Sequence, residues 1–302
     1  MSGKQRVAVI GLGSMGYGMA TSLLAAGCQT HGFDISNERT AQFRNDGGQD
    51  GELAEIANEL NALVVVVLNA EQTETVLFGE NGAVARMKAG SVVLSCATVP
   101  PAFAREMEAR CNEHQIHYLD APISGGSKKA AMGALTMMAS GTAGAFVAAQ
   151  PVLDAISEKV FRLGDSAGAG SAMKAINQLL AGVHIATMAE ALTFGMTQGV
   201  SPEKFLEVIP DCAGTSWMLE NRTPHIVDGD YTPHSSANIW PKDLGIVLDI
   251  ADSAGFDAPI AKAALKQYAK AVEMGLGQVD DAAVAKVYAR DSGLSLPGET
   301  KS

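Results

Sequence analysis

The turn Gly11-Leu12-Gly13-Ser14-Met15-Gly16 follows directly on the apolar run Gln5 to Ile10 and opens a helix-compatible stretch from Met15 to Ala26. A strand that turns this sharply into a helix commits the chain to a βαβ unit and so to a parallel sheet. In such a turn Gly11 permits the tight bend, Gly13 lets the backbone approach a pyrophosphate, and Gly16 lets the helix pack closely on the strand. The N-terminus of the helix then faces the negative charge of a dinucleotide. The position of the motif favours binding over a merely glycine-rich turn.

Asp34 ends the second expected strand, 18 residues beyond Gly16. A carboxylate there accepts hydrogen bonds from the adenosine ribose and repels a 2′-phosphate, which favours NAD over NADP. Arg39, five residues further on, is the one nearby group with the opposite preference.

The first half alternates β-rich runs with helical stretches, the pattern of a parallel sheet covered by helices. After Gln5 to Ile10 come Thr30 to Asp34, Leu63 to Leu68, Ser91 to Leu94, Ile116 to Asp120 and Lys159 to Leu163. The run Leu63 to Leu68 is apolar at every position, as expected of a mid-sheet strand buried on both faces. Beyond Gly164 the β-branched runs give way to segments rich in Ala, Leu and Met with helical spacing. One long helix is expected from Ser171 to about Gln198, with further helices over Pro202 to Ile209, Lys242 to Ala254, Pro259 to Met274 and Asp281 to Ala289. The expected architecture is α/β. Residues 1–164 form an NAD-binding Rossmann-type doubly wound domain, and a long interdomain helix joins it to an all-α domain, residues 165–302, for substrate and oligomerisation. Leu296 to Ser302 reads as a frayed end.

Length and composition agree with two soluble globular domains: 302 residues, 47% hydrophobic and 18% charged. The excess of 33 acidic over 22 basic residues, a net charge of -11, disfavours nucleic acid and anionic membrane surfaces as partners. Cys28, Cys96, Cys111 and Cys212 show no C-x-x-C spacing. The chain is read as opening without a signal peptide and as lacking an unbroken apolar span, so a reducing cytoplasm is the expected location. His114 and His117 lack a third ligand pattern, and no metal is expected. Apolar helical segments such as Ala186 to Met196 and Pro259 to Met274 favour a homo-oligomer.

Three further stretches bear on chemistry: Asp120-Ala121-Pro122-Ile123-Ser124-Gly125-Gly126, Gly168 to Gln178, and Pro241-Lys242-Asp243-Leu244. Ser124-Gly125-Gly126 follows a strand and a proline, and paired glycines leave backbone N–H groups open to a small carboxylate. Such a tripeptide is also a common plain loop. Lys174 lies near the start of the long helix, with Asn177 and Gln178 three and four residues on, so one face holds all three. A lysine whose pKa is lowered by burial can take a proton from an alcohol and return it to a carbonyl. A lone helical lysine is nevertheless ordinarily solvated.

In order and spacing these stretches and the glycine turn together resemble the β-hydroxyacid dehydrogenase family over nearly the whole chain. The resemblance implies substrate contacts at Ser124, Gly125, Gly126, Asn177 and Gln178, and proton transfer by Lys174. It also implies cofactor contacts at Lys242, and at Leu68, Asn69 and Thr98 besides the glycine turn and Asp34. The implied reaction is NAD-dependent oxidation of a small sugar acid or hydroxy acid, L-threonate at C2 foremost. The alternatives are reduction of tartronate semialdehyde or oxidation of 3-hydroxyisobutyrate at the same site, and, from another class, a dinucleotide-binding sensor that has lost catalysis. Two departures stand out. Where the family shows a hydroxyl pair before a proline, this chain reads Ser95-Cys96-Ala97-Thr98-Val99-Pro100, so Thr98 is left to supply the hydroxyl. Leu68-Asn69-Ala70 replaces the common Leu-Pro. Cys96 reads as a packing residue, because no adjacent base is evident.

Overall fold

A computed structural model describes residues 5–299. Its contacts divide the chain into two compact units, the first ending at Lys174 and the second beginning at Ala175.

In the first unit β1 (Arg6–Ile10), β2 (Gln29–Phe33), β3 (Ala62–Val65), β4 (Val92–Ser95) and β5 (His117–Asp120) form a parallel sheet in the order β2-β1-β3-β4-β5. Connections run through α1 (Gly16–Ala25), α2 (Asn37–Asn45), α3 (Leu53–Ile56), α4 (Ala70–Phe78) and α5 (Pro101–Glu113). The pleat explains how two cores form. Val7 and Val9 of β1, Ala62 and Val64 of β3, and Val92 and Leu94 of β4 enter one apolar cluster. Their neighbours Ala8 and Ile10, Leu63 and Val65, and Val93 enter another. Period-two alternation thus feeds both faces, and apolar runs without polar alternation are the result. The run that begins at Leu63 does lie mid-sheet, although the strand ends at Val65 and Val66 to Leu68 form the turn beyond it.

A second sheet was not anticipated from the sequence. β6 (Ile123–Ser124) pairs antiparallel with β7 (Leu135–Ala139), which pairs parallel with β8 (Ser157–Arg162). An isolated bridge between Asp120 and Ser140 joins the end of β5 to the end of β7. The sheet carries α6 (Gly126–Ala131) and α7 (Ala143–Ile156) in its connections. β6 is two residues long and β7 carries two methionines, so neither shows the β-branched signature by which strands are read.

α8 (Ala169–Thr197) is the expected long helix, and the division between the units falls within it. The sequence reading of no unbroken apolar span needs correction here. Among the described residues this helix alone has the length and apolarity of a membrane span, with a mean hydropathy of 1.4 over 18 residues. Its Ile185, Met188, Ala189 and Leu192 are buried in the core of the second unit, beside Trp240, Leu244 and Tyr268, so part of its apolarity serves that core. The second unit continues with α9 (Pro202–Val208), α10 (Trp217–Asp228), α11 (Ile239–Ser253), α12 (Pro259–Glu273) and α13 (Ala285–Asp291). The sequence reading omits α10, which carries Pro224 inside it; Ser216 caps its start by accepting from the Leu219 amide, and Gly229 closes its end in the left-handed conformation. The expected fraying from Leu296 is corrected as well. Leu296 is 2% exposed within the core, and its amide donates to Glu299 Oε2 at 3.0 Å; residues 300–302 lie outside the described residues.

Candidate active site

The parallel topology brings most of the expected site residues of the first unit to one sheet edge. The turn Gly11 to Gly16 leaves the carboxyl end of β1, Asp34 that of β2, Leu68 and Asn69 that of β3, Thr98 that of β4, and Ser124 to Gly126 follow β5. The strand order reverses between β1 and β3, the switch point at which doubly wound sheets take ligands.

The glycine turn is built to need its glycines. A Cβ at Gly11 would stand 2.5 Å from the Val66 carbonyl oxygen, and one at Gly16 would stand 1.8 Å from the Gly11 carbonyl oxygen. Over Gly13 the nearest such neighbour is Arg39 Nη1, at 3.6 Å. The closed sides fix the turn and the open side leaves room for a pyrophosphate to approach the backbone, so the residues fit a dinucleotide. Asp34 reinforces the turn: Oδ2 accepts from the Leu12 amide at 2.7 Å and Oδ1 from the Ser36 amide at 2.8 Å. Arg39, considered above as a phosphate partner, donates to the Leu12 carbonyl at 3.4 Å. Ser14 is exposed and Met15 half-buried.

Leu68 is 64% exposed. Asn69 caps α4, its Oδ1 accepting from the Gln72 amide at 2.9 Å, while Gln72 Oε1 accepts from the Leu68 amide at 3.0 Å. The departure from Leu-Pro therefore supplies a helix cap. Thr98 is half-buried in the segment between β4 and α5. Burial, aided by Asp120, pushes the neighbouring Cys96 thiol up to about 12, which suits packing and not nucleophilic attack.

Ser124 ends β6, paired with Thr136, and Gly125 and Gly126 follow with φ of 130° and 75°. Lys128 and Lys129 are exposed on α6, and Lys129 pairs with Glu158 at 3.5 Å. Lys174, half-buried, donates from Nζ to the carbonyl oxygen of Ile123 at 3.0 Å. The amine is thereby anchored one residue before Ser124.

In the second unit the side chains of Asn177, Gln178, Lys242 and Asp243 form a chain. Asn177 Nδ2 donates to Gln178 Oε1 at 3.0 Å, and Gln178 Nε2 to Asp243 Oδ2 at 2.5 Å. Lys242 Nζ lies 2.5 Å from Asp243 Oδ1, off the hydrogen-bonding direction. Asp243, 1% exposed, is the member to which the sequence reading assigns no role. Its signal was its place beside Lys242 at the start of a helix, where a favourable helix-dipole contact is the ordinary explanation. Among the described residues no group of three or more His, Cys, Asp or Glu side chains is arranged to hold a metal ion.

Comparison with known proteins places this geometry in a family. Residues 6–164 match the NAD binding domain of 6-phosphogluconate dehydrogenase, and residues 168–288 match the NAD-binding domain of NADP-dependent 3-hydroxyisobutyrate dehydrogenase. The chain is 48% identical over 298 residues to an L-threonate dehydrogenase of Cupriavidus necator, covering 98% of this chain and 99% of that one. It is 44% identical over 294 residues to an L-threonate dehydrogenase of Escherichia coli K12, covering 97% and 96%. Among solved structures it resembles a 3-hydroxyisobutyrate dehydrogenase from Salmonella typhimurium, 44% identical with a TM-score of 0.88, over 94% of this chain and 100% of that one. A glycine turn at the switch point, two family matches in succession and near-full-length relatives together make the chain a member of the β-hydroxyacid dehydrogenase family, an NAD-dependent dehydrogenase acting on a CH–OH group.

Proposed function

We propose that the chain oxidises L-threonate at C2 to 2-dehydro-L-erythronate, with Lys174 as the acid/base. The observation that carries this reading is the 3.0 Å hydrogen bond from Lys174 Nζ to the Ile123 carbonyl, which holds the amine beside the start of the Ser124-Gly125-Gly126 loop. In this reading the loop's amides and the Ser124 hydroxyl hold the substrate carboxylate. Asn177 and Gln178, on the same helix as Lys174, take the substrate hydroxyls. The turn Gly11 to Gly16 and Asp34 hold the cofactor, with further contacts from Leu68, Asn69, Thr98 and Lys242. NAD, when bound, supplies the hydride acceptor. Lys174 takes the proton of the C2 hydroxyl, and in the reverse direction it returns that proton to the carbonyl oxygen. The L-threonate dehydrogenases described above support the choice of substrate.

The first unit acts in this reading as the NAD-binding domain and the second as the substrate and oligomerisation domain. Ile176, Leu180 and Phe194 of α8 are 56%, 49% and 66% exposed. Such apolar exposure supports a homo-oligomer, which light scattering of the purified protein would test.

Initial rates on L-threonate, tartronate semialdehyde and 3-hydroxyisobutyrate, each with NAD and NADP, test the substrate. The 3-hydroxyisobutyrate reading keeps a place because the Salmonella typhimurium relative carries that description at 44% identity. Lys174→Ala tests the mechanism. Turnover is expected to fall at least about 100-fold with NAD affinity retained, and activity within a few-fold of the parent would overturn the assignment.

A further inference from the structure

Asp120 is the last residue of β5 and is fully buried. Burying a carboxylate is costly unless its oxygens are satisfied. Here Oδ2 accepts from the amides of Gly168 at 2.9 Å and Ser171 at 2.8 Å and from Ser140 Oγ at 3.2 Å, while Oδ1 accepts from Ser171 Oγ at 2.7 Å. Ser140 Oγ in turn accepts from the Gly170 amide at 2.9 Å. The amides of Gly168, Gly170 and Ser171 among these donors are ones that α8 leaves without intrahelical partners at its N-terminus. A negative charge there also complements the helix dipole. The packing around this contact is tight. A Cβ at Gly170 would stand 2.4 Å from the Met138 carbonyl oxygen and 2.8 Å from that of Asp120, so the helix start lies directly against the strand ends.

Ser171 and Lys174 lie three residues apart on α8, and Asp120 and Ile123 lie three apart on the strand-end segment. The two segments are tied twice, by Ser171 to Asp120 and by Lys174 to Ile123. The second tie is made by the amine at the end of a flexible side chain. The first is made by backbone amides and a buried carboxylate.

We propose that Asp120 is a positioning residue: its carboxylate fixes the first turn of α8 on the segment leading to Ser124-Gly125-Gly126 and so sets where Lys174 stands relative to the bound carboxylate. This rests on Lys174 being the acid/base. Displacement of a reacting group by about 1 Å can cost on the order of 100-fold in rate, so a tie of this kind acts on the chemical step and leaves the glycine turn alone.

Asn is the informative substitution. In Asp120→Asn the amide oxygen can take the place of Oδ2 and accept from Gly168, Ser171 and Ser140, while the amide nitrogen donates to Ser171 Oγ. Every tie survives and only the charge goes. Asp120→Ala removes every tie that the carboxylate makes and leaves the Lys174 bond to Ile123 in place. The test measures kcat and KM for L-threonate and the affinity for NAD in both variants, beside Lys174→Ala. The expected result is a kcat for Asp120→Ala lower by about 100-fold, an NAD affinity within about threefold of the parent, and an Asp120→Asn kcat within about tenfold of the parent. Where Asp120→Ala fails to fold, Ser171→Ala, which removes one tie, is expected to lower kcat several-fold with NAD affinity unchanged. The proposal is overturned if kcat of Asp120→Ala, or of Ser171→Ala in its place, equals the parent's while Lys174→Ala is inactive. It is equally overturned if Asp120→Asn is as impaired as Asp120→Ala. Full activity in Lys174→Ala would instead remove the acid/base assignment on which the proposal stands, whatever Asp120 does.

Discussion

The carboxylate of Asp34 reaches back across the sheet edge to hold the amide of Leu12 at 2.7 Å. The residue read from the sequence as a ribose partner therefore also braces the glycine turn, and its other oxygen holds Ser36. In the proposed reading one side chain couples the shape of the pyrophosphate site to the choice of ribose.

Asp34→Ala is accordingly expected to weaken NAD binding about tenfold or more, through loss of both the ribose acceptor and the Leu12 brace. Discrimination against NADP should fall at the same time, because the repelling charge is gone. Titration of the variant with NADH and NADPH measures both. Unchanged preference between the two would show that Asp34 does not face the 2′ position.

At the same turn, Gly16→Ala places a methyl group within bonding distance of the Gly11 carbonyl oxygen, so backbone must move. Overpacking of this kind costs about 1–3 kcal/mol. NADH affinity should drop sharply and the melting temperature fall, both readable in one fluorescence-monitored titration and melt.

Asp243 holds Gln178 and Lys242 from opposite oxygens. Removing it in Asp243→Ala leaves a buried amide donor without its acceptor and releases the ammonium. A loss of kcat/KM of about tenfold or more is expected, with Asp243→Asn intermediate, since it keeps the acceptor for Gln178 and loses the charge beside Lys242. Steady-state kinetics on the two variants provide the measurement.

Farther from the site, Arg222 Nε donates to Asp281 Oδ1 at 2.5 Å and Trp240 Nε1 to Oδ2 at 3.0 Å. Arg222 is 7% exposed and Asp281 fully buried. Asp281→Ala would leave the buried guanidinium with Asn221 Oδ1 as a neutral acceptor and Asp280, at 3.9 Å, as its remaining carboxylate. A destabilisation of about 3–5 kcal/mol is expected by denaturant unfolding.

Alkaline pH should weaken the fold. Burial pushes the Cys96 and Cys111 thiols from 9 up to about 12. Between those limits the unfolded chain releases protons that the folded chain retains, so stability is full below pH 9 and falls as pH rises above it. The slope approaches about 1.4 kcal/mol per pH unit for each thiol. Melting temperatures from pH 8 to 11 should show the decline, and Cys111→Ala should flatten it.

The parallel sheet was legible because its central strands are buried on both faces and so read as apolar runs, as in Val7 to Ile10 and Leu63 to Val65. The dinucleotide turn was legible because three glycines stand at fixed offsets from a strand end. The second sheet was not, since β6 holds two residues and β7 mixes Leu, Thr, Met and Ala. Of the proposed site, Lys174 and Ser124 to Gly126 were singled out by family spacing, while their juxtaposition depends on the hydrogen bond from Nζ to Ile123, which links residues 51 apart in sequence. Asp243 and Asp120 are aspartates with nothing in their local sequence to distinguish a buried, fully engaged carboxylate from a solvated one. Burial of a charge is decided by partners that arrive from elsewhere in the chain.

The tie between Asp120 and Ser171 also sets where the first unit can be cut. A fragment ending at residue 164, where the strands have finished, would leave Asp120 without the amides of Gly168 and Ser171 and without the Ser171 hydroxyl. The abandoned carboxylate would favour protonation or local opening of the end of β5. Extending the same fragment through Lys174 restores every partner. The sheet is complete in hydrogen-bonded strands before it is complete in compensated charge, and the ten residues between those two ends include the amine assigned to the proton.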